Sequence, residues 1–159
     1  MNVKGENIIL RSLEESDLDF LYNIENNKEN WKYGSERQYF NRKDLLDYIR
    51  KAKTTIKIAQ QYRFVIIFNM VPIGLIDLFD YISDEANVGI IIKKKYRGKG
   101  FGKEALELLV NYSFNILGVK TLFATIEKNN HASIYLFKTC DFYLKQQKDN
   151  FQIFSKLAN

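Results

Sequence analysis

The chain of 159 residues holds one proline, one cysteine and one histidine, and each scarcity removes a class of protein. A lone Cys140 forbids an internal disulfide, and with a lone His131 it leaves no ligand set for zinc, so no metal is expected. Pro72 and eight scattered glycines mark no linker, and neither a repeat nor a low-complexity tract is present. No run of eighteen apolar residues occurs, and residues 1–6 lack the apolar segment of an export signal. The expectation is one domain over residues 1–159, cytoplasmic, without a membrane partner, and with 46% hydrophobic residues to build a core.

Positive charge is in excess, with 24 Lys and Arg against 19 Asp and Glu, a net of +5. Such a balance suits nucleic acid, but its distribution points elsewhere. Lys93, Lys94, Lys95, Arg97, Lys99 and Lys103 crowd together, whereas Glu14, Glu15, Asp17, Asp19, Glu25, Glu29 and Glu36 season the N-terminal third. A small ligand with several phosphates fits the basic cluster better than nucleic acid, and the acidic residues suit a cationic substrate.

The basic cluster lies in an informative context. Val88, Gly89, Ile90, Ile91 and Ile92 read as a buried strand, and residues 104–117 read as a helix with Leu106, Leu109, Val110, Phe114 and Leu117 on one face. Between them Gly98, Gly100 and Gly102 permit positive φ and close approach to a ligand, and the free amides of the helix start attract an anion. Arg97, Lys99 and Lys103 add charge. No Ser or Thr follows a Gly-Lys pair, and the spacing is not Gly-x-Gly-x-x-Gly, so two common phosphate loops are set aside.

The pattern Arg-x-x-Gly-x-Gly at Arg97, Gly100 and Gly102 resembles the acyl-coenzyme A pyrophosphate loop of the GNAT-type N-acetyltransferase superfamily. Residues 129–138 followed by Asp141-Phe142 resemble that superfamily's later helix motif, on which Asn129 contacts coenzyme A, Leu136 is core and Phe142 starts the next strand. Two positions depart from the motif. Phe137 stands where many members carry a tyrosine that protonates the leaving thiolate, and Asp141 replaces a turn glycine. The resemblance implies acetyl-CoA as cosubstrate, held by Ile90, Ile91, Ile92, Arg97, Gly98, Lys99, Gly100, Phe101, Gly102, Lys103, Asn129, Tyr135 and Phe137.

Hydrophobic periodicity and turn residues predict strands at residues 7–13, 62–68, 71–78, 86–93, 120–127, 142–147 and 151–156. Helices are predicted after Ser12 or Ser16, after Asn41, at 104–117 and at 130–138. The order is β-α-α-β-β-β-α-β-α-β-β, an α/β (α+β) fold: a mixed, mostly antiparallel sheet of about seven strands with about four helices on both faces. The crossover through residues 104–117 predicts parallel neighbours on either side of it. Sheet-edge pairing offers a route to a homo-oligomer.

Residues 8–11, Asn26-Asn27, 31–36 and 74–77 resemble the spermidine and diamine acetyltransferases and the acetyltransferases of ribosomal-protein N-termini. The implied reaction is direct attack of a primary amine on the thioester. An alkylamine with pKa near 10.4 is protonated at neutral pH, so a base must first remove a proton. Glu36, Asp77 and Glu85 are the candidates, with Trp31, Tyr33 and Tyr39 as aromatic wall for a cation. The acceptors left open are a polyamine or diamine, a protein N-terminus and an amino sugar; a silent coenzyme A-binding module is the remaining alternative.

Overall fold

The computed structural model describes residues 2–30, 39–52 and 59–159. Eight strands form one sheet: β1 Asn2–Lys4, β2 Ile8–Ser12, β3 Tyr62–Phe68, β4 Val71–Ile82, β5 Glu85–Ile92, β6 Thr121–Glu127, β7 Tyr143–Lys148 and β8 Phe151–Leu157, in the order β1-β2-β3-β4-β5-β6-β8-β7. Four described α-helices accompany it: α1 Leu18–Glu25, α2 Arg42–Lys51, α3 Phe101–Asn115 and α4 His131–Thr139. The mixed α/β architecture agrees with the sequence reading, except that the sheet has eight strands rather than about seven. The extra strand is β1, whose three residues pair with Ile9 to Arg11 and are too few to display a period of two.

Alternation along the strands divides the core. Leu10, Phe64, Ile66, Ile76, Leu78, Val88 and Ile90 pack in one cluster with Leu106 and Leu109 of α3 and Phe137 of α4. Val65, Leu75 and Ile91 pack on the opposite face with Leu21 and Ile24 of α1 and Leu45 and Ile49 of α2. Each such side chain, fully buried, contributes about 1.5–3 kcal/mol. Helices α2 and α4 begin where asparagines satisfy open amides: Asn41 Oδ1 accepts from Asp44 N, and Asn130 Oδ1 from Ser133 N.

All strand pairs are antiparallel but one. β5 and β6 run parallel, as the crossover predicts, and they pair only over Glu85↔Thr121, Ala86↔Leu122 and Asn87↔Phe123. Beyond Asn87 the two strands separate, so one edge of residues 88–92 carries no strand. No described helix is long and apolar enough to cross a membrane.

Candidate active site

The split between β5 and β6 is a narrow cleft of about 30 Å³, lined by Val88, Gly89, Ile90, Ala124, Thr125, Ile126, Asn130, Ser133 and Phe137. A strand pair that stays joined would bury these backbone groups in its own ladder. Parted, residues 88–92 offer alternate N–H and C=O groups to whatever enters.

At the end of β5 the chain turns through a 3₁₀ segment, Lys94–Tyr96, into the glycine loop. Gly98 and Gly100 have φ of +72° and +88°, and a Cβ on either would meet nothing within 4 Å. Their requirement is therefore backbone conformation and not crowding. The first bond of α3 on the loop side runs from Glu104 N to Gly100 O, which leaves the amides of Phe101, Gly102 and Lys103 directed out of the helix start. Lys99 and Lys103 are exposed beside them. Phe101 anchors the turn inward, its ring 4.4 Å from that of Phe68, and Gly102 faces Leu136 of α4.

Arg97 behaves differently from a simple phosphate ligand. Its Nε donates to Ile92 O at 2.7 Å and its Nη2 to Asn30 Oδ1 at 2.8 Å, tying the loop to the end of β5 and to the buried Asn30. Two of its five donors thus shape the cradle from within.

α4 closes the cleft. Phe137 is 2% exposed and meets Phe142 edge-on, with centroids 5.0 Å apart. Tyr135, two residues earlier, is 73% exposed on the outer face. Asn129 is exposed in the turn before the helix, whereas its neighbour Asn130 is buried, caps α4 and lines the cleft. The helix ends in a left-handed residue, Asp141 with φ +65°, with Asp141 N bonded to Lys138 O and Phe142 N to Phe137 O, the pattern that glycine usually completes.

Of the two candidate bases among the described residues, Asp77 and Glu85, the structure brings one to the split. Asp77 sits across from Gly89 in the β4–β5 register, on the α1/α2 face, and a Cβ on Gly89 would lie 2.9 Å from its Oδ1. Burial pushes the Asp77 carboxyl up to about 6; Arg63 opposes this and Glu25 reinforces it. That value suits proton exchange near neutral pH. Glu85 is exposed at the other end of β5, about 16 Å from Ile90 at 3.3 Å per residue. Glu36, with Trp31 and Tyr33, lies outside the described residues. Tyr39 is exposed and hydrogen-bonded to Tyr22. Asn30 and Arg63 escaped the sequence reading, in which Glu25 figured only among the acidic residues of the N-terminal third and Asn130 only as the start of the later helix.

These features fit acetyl-CoA: a cradle of outward amides and two left-handed glycines for its diphosphate, Lys99 and Lys103 for charge, and an unpaired strand edge for its amide-bearing arm. Bound there, the cosubstrate supplies a thioester-activated acetyl group. Among the described residues no group of His, Cys, Asp and Glu could hold a metal ion.

Comparison with known proteins agrees. The Acetyltransferase (GNAT) domain family matches residues 7–143. The spermidine N(1)-acetyltransferase of Vibrio cholerae is 30% identical over 138 residues, covering 85% of this chain and 78% of that protein. The crystal structure of the Vibrio cholerae spermidine N-acetyltransferase, in complex with CoA and spermine, superposes with a TM-score of 0.85 at 26% identity over 96% of both chains. RimL, an alpha-N-protein acetyltransferase solved with coenzyme A, shares the fold at 12% identity, with a TM-score of 0.87 over 99% of this chain and 98% of that one. The chain belongs to the GNAT family and is an acetyl-CoA-dependent N-acetyltransferase.

Proposed function

We propose that the acceptor is a primary amine of the polyamine or diamine class, acetylated by direct attack, with Asp77 accepting its proton. One observation carries the reading: a half-buried carboxylate stands over Gly89, on the sheet face opposite the α3/α4 cluster and beside the parted strands. A cofactor gripped by the glycine loop and α4 enters from one face. An amine reaching Asp77 arrives from the other, so that the two meet through the split.

Alternation places Phe79, Asn87, Phe123 and Thr125 on the same face as Asp77. Here Phe79 and one carboxylate suit an alkylammonium, whereas the Phe123 ring already carries the Lys145 ammonium 4.8 Å from its centre. An amine bound beside Asp77 passes its proton to the carboxylate and exposes its lone pair. Open backbone amides along residues 88–92 are positioned to stabilise negative charge developing on an acyl oxygen, a contribution of about 3 kcal/mol where such donors are preorganised. Support for the polyamine class comes also from the relatives, whose names specify spermidine.

Free thiol release should be followed with spermidine, spermine and simple diamines, alongside Asp77→Asn. Turnover that falls at least about a hundredfold in the variant is expected. Absence of turnover with every one of these amines removes the polyamine assignment, and an unimpaired variant removes Asp77 as the base.

A further inference from the structure

Arg63 lies directly across from Asp77 in the β3–β4 register, on the face covered by α1 and α2. Its Nη1 donates to Glu25 Oε1 at the end of α1, and its Nη2 stands 3.9 Å from Asp77 Oδ2. The guanidinium lies 5.7 Å from the centre of the Tyr48 ring on α2. Its Nε is buried with no hydrogen-bond partner among the described residues. The side chains of Glu25, Arg63 and Asp77 are 16%, 19% and 20% exposed.

As a stability device this arrangement is poor. A buried guanidinium is stabilised only when its donors are used, and here one is orphaned and another reaches a carboxylate too distant for a hydrogen bond. Arg63 is shared between two carboxylates, hydrogen-bonded to Glu25 and ion-paired with Asp77 at 3.9 Å, so one positive charge faces two negative ones. We propose that Arg63, anchored by Glu25, is a positioning residue that aims the Asp77 carboxylate across Gly89 and leaves the trio one negative charge for an incoming ammonium. The proposal rests on the reading that Asp77 accepts the amine's proton.

Among the described residues the ionisable groups acting on Asp77 are Glu25 of α1 and Arg63 of β3, with Tyr48 of α2 lying against Arg63; β5 presents Gly89, which has no side chain. Glu25 and Arg63 act on Asp77 in opposite senses, and this gives a signature that a merely structural role lacks.

The test is a ¹³C carboxylate NMR titration of the whole chain, with the Asp77 signal assigned by its loss in Asp77→Asn, together with kcat against pH at saturating spermidine. Glu25→Gln should move the Asp77 midpoint down and Arg63→Met should move it up, each by about one pH unit, with the acid limb of kcat following. Arg63→Lys keeps the charge but loses the planar fork, so kcat should fall several-fold while the midpoint stays nearly fixed. Unchanged coenzyme A affinity certifies the fold. If Arg63→Met loses that affinity, Glu25→Gln and Arg63→Lys carry the test. A midpoint unmoved by Glu25→Gln, or moved the same way by Glu25→Gln and Arg63→Met, overturns the proposal. Failure of the underlying reading looks different: Asp77→Asn would then turn over amine at the wild-type rate, whatever the titrations show.

Discussion

Replacing Asp77 by Asn should make the enzyme more stable and less active at once. Burial raises the carboxyl from 3.8 to about 6 against the counteracting pull of Arg63, so the folded state favours the protonated form. Below pH 3.8 both folded and unfolded chains are protonated and no penalty exists. Between pH 3.8 and 6 the unfolded chain ionises first, and stability falls as pH rises. Above pH 6 the full cost is present: about two pH units at 1.36 kcal/mol each, or about 3 kcal/mol. Asn matches the protonated side chain in shape and carries no charge, so the variant escapes that cost. At about 2–4 °C per kcal/mol for a chain of this size, melting at pH 8 should rise by about 6–12 °C. The gain should shrink towards zero near pH 4. Scanning calorimetry of both proteins from pH 4 to 8 is the assay. A variant that melts at or below the wild type at pH 8, or a gain equal at both ends of the range, refutes the reasoning.

Gly100→Ala forces a Cβ into a left-handed position with no clash, φ +88°, at about 1–2 kcal/mol of backbone strain; coenzyme A affinity by calorimetry should fall about tenfold, with the fold retained. Asp141→Gly relieves the left-handed residue ending α4 and should raise stability by about 0.5–1 kcal/mol in urea unfolding, without changing turnover. Glu104, at the start of α3, accepts from the amides of Asn7 and Ile8 and from Asn7 Nδ2. Burial pushes its carboxyl up, but these bonds win and hold it below the usual range. Its contribution is therefore present above the ordinary carboxylate pKa and lost as pH falls through the lowered one. Glu104→Gln should cost about 2 kcal/mol at pH 7 and much less in acid. Phe137→Tyr should change single-turnover acetyl transfer by no more than about tenfold, because a thiol of pKa around 8.5 leaves tolerably as thiolate; an increase of several orders of magnitude would show that this enzyme lacks a needed acid.

Contiguous signals were legible and converging ones were not. The strand, glycine turn and helix around residues 88–117 could be read because their apolar periods and turn residues are local, and the Asn41 cap likewise. Choosing between Asn129 and Asn130 required the helix itself, since both are asparagines and only capping geometry separates them. Arg97 was legible as a cation beside the loop, but its inward bonds to Ile92 O and Asn30 depend on a residue far away in sequence.

By itself the sequence determined the class of ligand, because phosphate recognition by glycine amides is written in one short stretch of chain. Only tertiary structure separates Asp77, beside Gly89, from Glu85 at the far end of β5. Glu25, Arg63, Asp77 and Gly89 come from one helix and three strands, and the burial that raises Asp77 belongs to none of them singly; it arises only where α1, α2 and the sheet exclude water together.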